Sequence, residues 1–240
     1  GPNAMLIEKL TVGPLEENCY LVGAAGTGRC AVVDPGAESG RIIAAIERRG
    51  LMPESILLTH GHIDHIAHCA DVAERFGIGV WIHRADLPYL ERQQWPELEA
   101  LLKARPCPQP SGWLEEGVEV AVAGLVLRVL HTPGHTPGGV CLIDEASREI
   151  LVGDTIFCRG VGRSDLPGGD GEALARSIRG KLFVLGGDGT VMEAATGLAE
   201  AGSDAAIGIL PGGTGNQLAR ALSVPLSPAQ VLDGLFDRGD

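Results

Sequence analysis

Short apolar runs, separated by turn residues, recur along the whole chain. Runs of about four to eight residues that are bounded by Gly, Pro, Asn or Asp are typical of β-strands. In the first half, the predicted strands are 5–12, 18–23, 29–34, 56–59 and 80–83. In the second half, they are 118–122, 125–130, 140–143 and 149–152.

Helical patterns alternate with the strands of the first half. Isoleucines recur at helical spacing within 39–50, for which we predict Ser39 as the N-cap and Gly50 as the C-terminal stop. A second helix is predicted over 66–76, and the Pro-rich stretch 86–113 is predicted to be a loop or a partly helical lid. Strands in two groups, with helices between them, predict an α/β fold of two packed sheets flanked by helices.

Composition limits the class of protein and its partners. A chain of 240 residues with 45% hydrophobic content can bury at least one full core. The net charge of −12 argues against nucleic acid or an anionic membrane as the main partner, and no apolar run is long enough to span a bilayer. The six cysteines form no C-x-x-C pair and predict free buried thiols in a cytoplasmic protein. Residues 1–4, before Met5, are interpreted as the remnant of a removed tag.

A cluster of metal-ligand side chains follows the predicted strand 56–59. The motif T-H-G-H-I-D-H contains His60, His62, Asp64 and His65. Only seven histidines occur in the chain, so three within six residues are improbable by chance. Two further candidates, His135 and Asp154, also follow predicted strands. Imidazole and carboxylate are common ligands of zinc, iron and manganese, and the pattern therefore predicts a metal site.

Three motifs in this order, T-H-G-H-I-D-H, T-P-G-H-T-P-G and V-G-D-T-I-F, resemble the metallo-β-lactamase superfamily. The segments T-V-G-P-L-E-E-N-C-Y-L-V, V-V-D-P-G and G-V-G-R-S-D are similar to those of compact glyoxalase II-like thioesterases. These are hydroxyacylglutathione hydrolases without a long C-terminal helical domain. The resemblance covers residues 5 to about 185 and implies an αββα sandwich.

The resemblance also implies a ligand set and an activity. His60, His62 and His135 would form a first metal site, Asp64 and His65 would belong to a second, and Asp154 would bridge the two. The expected cofactors are two divalent ions, zinc first, with iron and manganese as alternatives. The implied reaction is thioester hydrolysis by a metal-bound hydroxide. In that reaction, Asp64 would act as a catalytic residue that orients the nucleophile.

Other polar residues near these motifs have competing interpretations. Arg163 in G-V-G-R-S-D is a candidate for binding an anionic substrate, and an ion pair with Asp165 or Asp34 is equally expected. The remaining histidines that we considered, His68, His83 and His131, are interpreted mainly as packing residues or as supports of the ligands.

The chain departs from the family after residue 185. The family's last strand ends like V-L-P-G-H-G and supplies one more metal-binding histidine, but every histidine here lies at or before His135. Residues 186–240 instead contain G-G-D-G-T and L-P-G-G-T-G-N-Q-L-A-R-A-L, which are similar to the catalytic domain of diacylglycerol kinases. A kinase domain needs strands before the first motif and a further domain after the second. We therefore expect no kinase activity from this partial αβα segment.

Alignment of the two endings by pattern places 205–210 where the family has its last strand, and Gly213 where it has the histidine. The second metal site would then be under-coordinated and open. Helix 191–201 would be an insertion, and 215–222 would cap the sandwich. Backbone N–H groups of Gly213, Thr214 and Asn216 could contact an anionic substrate. The competing interpretation is a structural filler from a gene fusion, natural or engineered.

Several functions therefore remain open at the level of sequence. The first is glyoxalase II-like thioester hydrolysis, and the second is hydrolysis of phosphodiesters or phosphate esters at the same centre. A third is a mononuclear iron enzyme of the persulfide dioxygenase type. A fourth is an impaired fusion product whose C-terminal segment is structural. The expected partners are a small-molecule ester, thioester or phosphodiester and a second copy of the chain, which the apolar segment 191–236 would bind.

Overall fold

The computed structural model describes residues 4–157, 160–182 and 208–211. Its strands are β1 Met5–Val12, β2 Glu17–Ala24, β3 Arg29–Val33, β4 Met52–Leu57, β5 Gly79–Ile82, β6 Gly112–Trp113, β7 Glu119–Val122, β8 Leu125–His131, β9 Val140–Asp144, β10 Glu149–Gly153, β11 Ile156–Phe157, β12 Gly160–Val161 and β13 Gly208–Pro211. Every strand predicted before residue 153 is present, with its ends shifted by a few residues.

The helices are α1 Ser39–Arg48, α2 Ile63–Ile66, α3 Cys69–Phe76, α4 Leu87–Glu91, α5 Pro96–Leu102 and α6 Gly171–Ser177. A 3₁₀ helix, Arg84–Asp86, precedes α4, and a π-helical turn, Ile178–Leu182, follows α6. The helix predicted over 66–76 corresponds to α3, which begins later, at Cys69. The separate short helix α2 ends at Ile66 and was not predicted. The stretch 86–113 contains two short helices, as expected for a partly helical lid.

The prediction that Ser39 is the N-cap of α1 is wrong. Glu38, in a left-handed conformation, holds the N-cap position, and Ser39 is the first helical residue. The Ser39 backbone N–H donates to Nδ1 of His68 at 3.1 Å. The His68 imidazole, in the turn before α3, therefore accepts a hydrogen bond at the start of α1 in place of the predicted Ser39 side-chain cap.

Two sheets form the centre of the molecule. The first has the order β1-β2-β3-β4-β5-β6, antiparallel from β1 to β3 and parallel from β3 to β6. Each parallel connection passes through helical structure, as parallel pairing requires. The second sheet has the order β13-β10-β9-β8-β7. Strands β11 and β12 form a small separate hairpin.

Three buried clusters show how the layers pack. Successive side chains of β3 face opposite sides of the first sheet. Val32 packs on the side of α1 and α3, whereas Val33 packs between the two sheets. The cluster between the sheets also contains Leu127 and Leu142 of the second sheet. On the far side of that sheet, Leu174 of α6 packs against Ile150. These layers confirm the predicted αββα metallo-β-lactamase sandwich.

Strand β13 lies at the edge of the second sheet, parallel to β10. Ile209 is opposite Ile150, and Pro211 is opposite Gly153. Strand β13 overlaps the predicted strand 205–210. It pairs with β10, beside Asp154, where we expected this strand to take the place of the family's last strand. Residues 205–207 and the predicted helices 191–201 and 215–222 lie outside the described residues.

The described cysteines, Cys19, Cys30, Cys69, Cys107 and Cys141, are free and buried, as predicted. Among the described residues, no helix has both the length and the apolar character needed to cross a bilayer.

Candidate metal centre

The six predicted ligands meet at one edge of the sandwich. His60 and His62 lie in the loop after β4, and Asp64 and His65 lie in α2 directly beyond it. The other two, His135 and Asp154, lie in the loop between β8 and β9 and directly after β10. Five of the six residues are buried, and the Asp154 side chain is only 12% exposed.

The first group consists of His60, His62 and His135, which each offer a ring nitrogen within 4.8 Å of the others. The distance from His62 Nδ1 to His135 Nε2 is 2.9 Å. Nε2 of His60 is buried and has no hydrogen-bond partner in the described part of the chain, while its Nδ1 contacts the Thr59 hydroxyl. Buried polar atoms are rarely left without a partner, so this nitrogen indicates a missing ligand.

The second group surrounds His65. Its Nε2 lies 3.3 Å from Oδ1 of Asp154 and 3.7 Å from Oδ2 of Asp64. The other oxygen of Asp154 lies 3.5 Å from Nε2 of His135. The carboxylate of Asp154 therefore stands between the two groups, which is the geometry that a bridging ligand requires.

Hydrogen bonds on the outer side of the imidazoles orient the rings. Nδ1 of His135 donates to the carbonyl oxygen of Arg163 at 2.7 Å, which leaves Nε2 free to face the centre. The hydroxyl of Thr59 donates to Asp34 at 2.6 Å, so it accepts from Nδ1 of His60 at 3.1 Å. Asp34 also accepts from Nδ1 of His65 at 2.9 Å.

The electrostatics differ between the two groups, and those of His60 and His62 suit metal binding. Burial, reinforced by the neighbouring imidazoles, holds the pKa of His60 and of His62 well below the usual range, so both rings are neutral and keep a lone pair. Burial opposes a charge on His65 too, but the carboxylates of Asp154 and Asp64 raise its pKa well above the usual range. Burial likewise opposes a charge on Asp154, but His65 and His135 lower its pKa.

Sequence reasoning missed a buried carboxyl group beside the site, that of Glu17. Its Oε1 lies 3.6 Å from Nδ1 of His65, and neither oxygen has a hydrogen-bond partner in the described ranges. Burial raises the pKa of Glu17 well above its usual range. The detectable signal was an acidic residue at the start of the strand pattern in E-E-N-C-Y.

The lid also contributes residues that the sequence did not identify. Tyr89 and Trp95 meet the His62 ring edge-on, with ring centroids 5.3 Å and 5.5 Å away. Asp86 and Gln94 hydrogen-bond to the loop that carries His60 and His62. The lid therefore packs directly on the ligand loop.

Arg163 forms one of the two arrangements that the sequence left open. Its Nε and Nη2 each donate to Asp165 at 2.7 Å. Its Nη1 is buried and has no partner among the described residues. The ion pair with Asp165 is therefore present.

The other histidines have structural contacts. Besides accepting from Ser39, His68 contacts the carbonyl oxygen of Leu102 through Nε2 at 2.8 Å. His83 and His131 stack with ring centroids 3.9 Å apart. Both arrangements agree with the packing roles expected for these residues. The remaining candidates, Gly213, Thr214 and Asn216, lie outside the described residues.

An αββα sandwich whose loops gather imidazoles and carboxylates at one edge defines a class of metal-binding hydrolase folds. The metallo-beta-lactamase superfamily matches residues 12–185 of this chain, and the chain belongs to that superfamily. The diacylglycerol kinase catalytic domain matches residues 163–239, so the two matches overlap between 163 and 185. The kinase match contains the two predicted motifs but begins before the predicted boundary at residue 186.

Similar proteins include the hydroxyacylglutathione hydrolase GloC of Haemophilus influenzae, 34% identical over 77% of this chain and 87% of the relative. The probable metallo-hydrolase YqgX of Bacillus subtilis is 35% identical over 74% of this chain and 83% of its own length. A solved structure, TTHA1623 in a di-iron-bound form, is 38% identical, with a TM-score of 0.67 over 74% of this chain and 86% of that one.

The residues present fit a bound metal. The neutral imidazoles of His60 and His62, together with Nε2 of His60 and Oδ1 of Asp154, which have no hydrogen-bond partner among the described residues, form a donor set of the kind that divalent ions select.

Proposed function

We propose that this protein is a metal-dependent hydrolase of thioesters, with chemistry similar to that named for GloC. The observation that carries the proposal is the position of Asp154 between His65 and His135, which joins two groups of donors into one centre. The identity of 34% to a hydroxyacylglutathione hydrolase supports the choice of a thioester over other electrophiles.

The donors divide into two sites that share one carboxylate. His60, His62 and His135 would hold the first ion, and Asp64 with His65 would hold the second, with Asp154 between them. When bound, divalent ions supply a water of lowered pKa and polarise the substrate carbonyl. Zinc is the ion that we propose, and the di-iron form of TTHA1623 makes iron the alternative to test.

Two further side chains have proposed roles in the reaction. Asp64 is buried, with Oδ2 3.7 Å from Nε2 of His65, and we propose that its carboxylate orients the attacking water by accepting a hydrogen bond from it. Asp165 holds the guanidinium of Arg163 in place, and its buried Nη1 has no hydrogen-bond partner within the described part of the chain. We propose that this N–H group attracts an anionic group of the substrate.

The test is a panel of substrates on protein loaded separately with zinc and with iron. It comprises a lactoyl thioester of glutathione, an aryl phosphodiester and a glutathione persulfide with oxygen uptake as the readout. We expect thioester turnover to exceed phosphodiester turnover, with no oxygen uptake. A larger rate on the phosphodiester would instead support a phosphodiesterase. Oxygen uptake with iron would support a persulfide dioxygenase.

Replacement of the shared ligand tests the location of the chemistry. Asp154→Ala should lower thioester turnover by about 100-fold or more and release metal, because both sites lose a donor. The matched control is Glu172→Gln, which changes an exposed carboxylate on α6. Turnover by Asp154→Ala at the level of the control would place the chemistry elsewhere.

A further inference from the structure

One buried carboxylate joins the two loops that carry the first-site histidines. Oδ2 of Asp86 accepts from the Gly61 backbone N–H at 2.9 Å and from the Thr136 hydroxyl at 2.7 Å. Oδ1 accepts from the Gly138 N–H at 2.6 Å. Gly61 lies between His60 and His62, whereas Thr136 directly follows His135. Asp86 therefore fixes the distance between loops that are more than 70 residues apart in the sequence.

Gln94, which follows Asp86 closely in the sequence, hydrogen-bonds to the peptide groups on both sides of His62. The Gln94 carboxamide donates to the Gly61 carbonyl oxygen at 2.8 Å and accepts from the Ile63 N–H at 3.1 Å. It also donates to the carbonyl oxygen of Tyr89 at 2.9 Å, which ties it to α4. The backbone on either side of His62 is thus held by one side chain.

Each of the two loops that carry the first-site histidines has a glycine at its closest contact with Asp86 or Tyr89. A Cβ atom on Gly61 would lie 2.7 Å from the Tyr89 Cβ, and one on Gly138 would lie 2.7 Å from the Asp86 Cγ. Both distances are shorter than van der Waals contact allows. The close approach therefore requires glycine at Gly61 in H-G-H and at Gly138 in the second T-P-G. These two glycines allow the contact with residues 86–89 and do not themselves bind the metal.

The chemistry of the contact requires an aspartate. Three donors converge on two oxygen atoms, and an ionised carboxylate is the short side chain that accepts without donating. Asparagine has nearly the same shape, but its amide group would oppose at least one of the three donors. Asp86 is fully buried, so a lost hydrogen bond there would not be replaced by water.

We propose that Asp86 and Gln94 are positioning residues that set the spacing of the His60, His62 and His135 imidazoles and thereby the affinity of the first metal site. We call residues 86–95 the clamp segment. This inference rests on the proposed metal-dependent function, but its measured quantity is metal affinity rather than turnover.

Two matched pairs of variants test the clamp segment. Thr136→Val removes the hydroxyl that binds Asp86, and Thr136→Ser keeps it. Gln94→Glu removes the donor to Gly61, whereas Gln93→Glu makes the same change at the exposed neighbouring residue. Zinc affinity is measured on the full chain by competition with a chromophoric chelator, and first-site geometry by the visible spectrum of the cobalt-loaded protein.

We expect Thr136→Val and Gln94→Glu to weaken first-site zinc affinity by about 10- to 100-fold and to change the cobalt spectrum. Thr136→Ser and Gln93→Glu should bind like the wild type. Asp86→Asn should show the largest loss, but its burial makes it prone to misfolding, so the decision rests on the two pairs. The melting temperature of each metal-stripped variant is measured alongside.

Equal affinities and equal cobalt spectra within both pairs would overturn the proposal. So would a fall in affinity that the loss of melting temperature of the stripped protein fully accounts for, since that would be a general structural effect. A wild-type protein that binds zinc but hydrolyses no thioester would contradict the proposed function. The zinc affinities of the two variant pairs would still test the role of Asp86 and Gln94.

Discussion

At the scale of single residues, the ligands and the groups that orient them differ in how visible they are in the sequence. His60, His62 and His135 occur in motifs whose side-chain types already indicate metal binding. Asp34 and Thr59 were not predicted to orient the ligands, although Thr59 is the first residue of the T-H-G-H-I-D-H motif. Together, however, they orient two of the imidazoles through hydrogen bonds of 2.6–3.1 Å.

Glu17 yields a prediction on stability and pH. Because burial raises its pKa in the folded protein, the charged form opposes folding above the usual carboxyl pKa of about 4.3 and has no such effect below it. Glu17→Gln should therefore raise the free energy of unfolding of the metal-stripped protein by about 1–3 kcal/mol at pH 8. Near pH 4, we expect no gain from the removed charge.

Urea unfolding of the metal-stripped protein at the two pH values measures this effect. Glu172→Gln, at an exposed position, should leave the stability unchanged at both. An equal effect of Glu17→Gln at pH 4 and pH 8 would show that packing, rather than ionisation, determines it.

At the scale of elements, the strands were predicted more reliably than the helix ends. Alternation of apolar residues determines a strand locally, and β1, β3, β8 and β10 lie within a residue or so of their predicted ranges. The start of α1 depended on His68, which lies 29 residues away. No local pattern contains that contact, so Ser39 was wrongly predicted as the cap.

The edge strand β13 leads to a prediction about the second metal. Pro211 pairs with Gly153, the residue before Asp154, and the sequence pattern puts Gly213 in the position of the family's histidine. We expect Gly213→His to supply a ligand and to raise the bound metal from about one toward about two ions per chain. Metal analysis after dialysis against limiting zinc measures the change.

The control places the same side chain one residue earlier. Gly212→His should bind no additional metal if the position of the imidazole matters. Unchanged stoichiometry in Gly213→His, or an equal gain in both variants, would refute the alignment of L-P-G-G with V-L-P-G-H.

At the scale of the whole molecule, the chain combines a metallo-beta-lactamase sandwich with a segment similar to a diacylglycerol kinase. The sandwich buries its sheets on both faces through its own helices. The C-terminal segment 191–236 is rich in apolar residues and lies within the region similar to the kinase domain. Apolar surface that a fold leaves exposed is commonly covered by a partner.

We therefore predict that the protein is a homodimer in which this segment forms the interface. Light scattering of the full chain at micromolar concentration should give about twice the monomer mass of 25.0 kDa. Replacement of Leu232 and Leu235 by Glu should shift the protein toward the monomer, whereas Arg179→Glu, outside the segment, should not. A monomer at that concentration would contradict the prediction.

Local sequence patterns were enough to predict the strands along the chain, the two packed sheets and the candidate metal ligands. Apolar periodicity and ligand chemistry are properties of neighbouring residues, so they can be recognised without the fold. The groups that hold those candidate ligands in place could be identified only from the fold. Asp34, Asp86 and Gln94 reach the site from 25 to 52 residues away along the chain, and burial turns their ordinary hydrogen bonds into constraints on geometry.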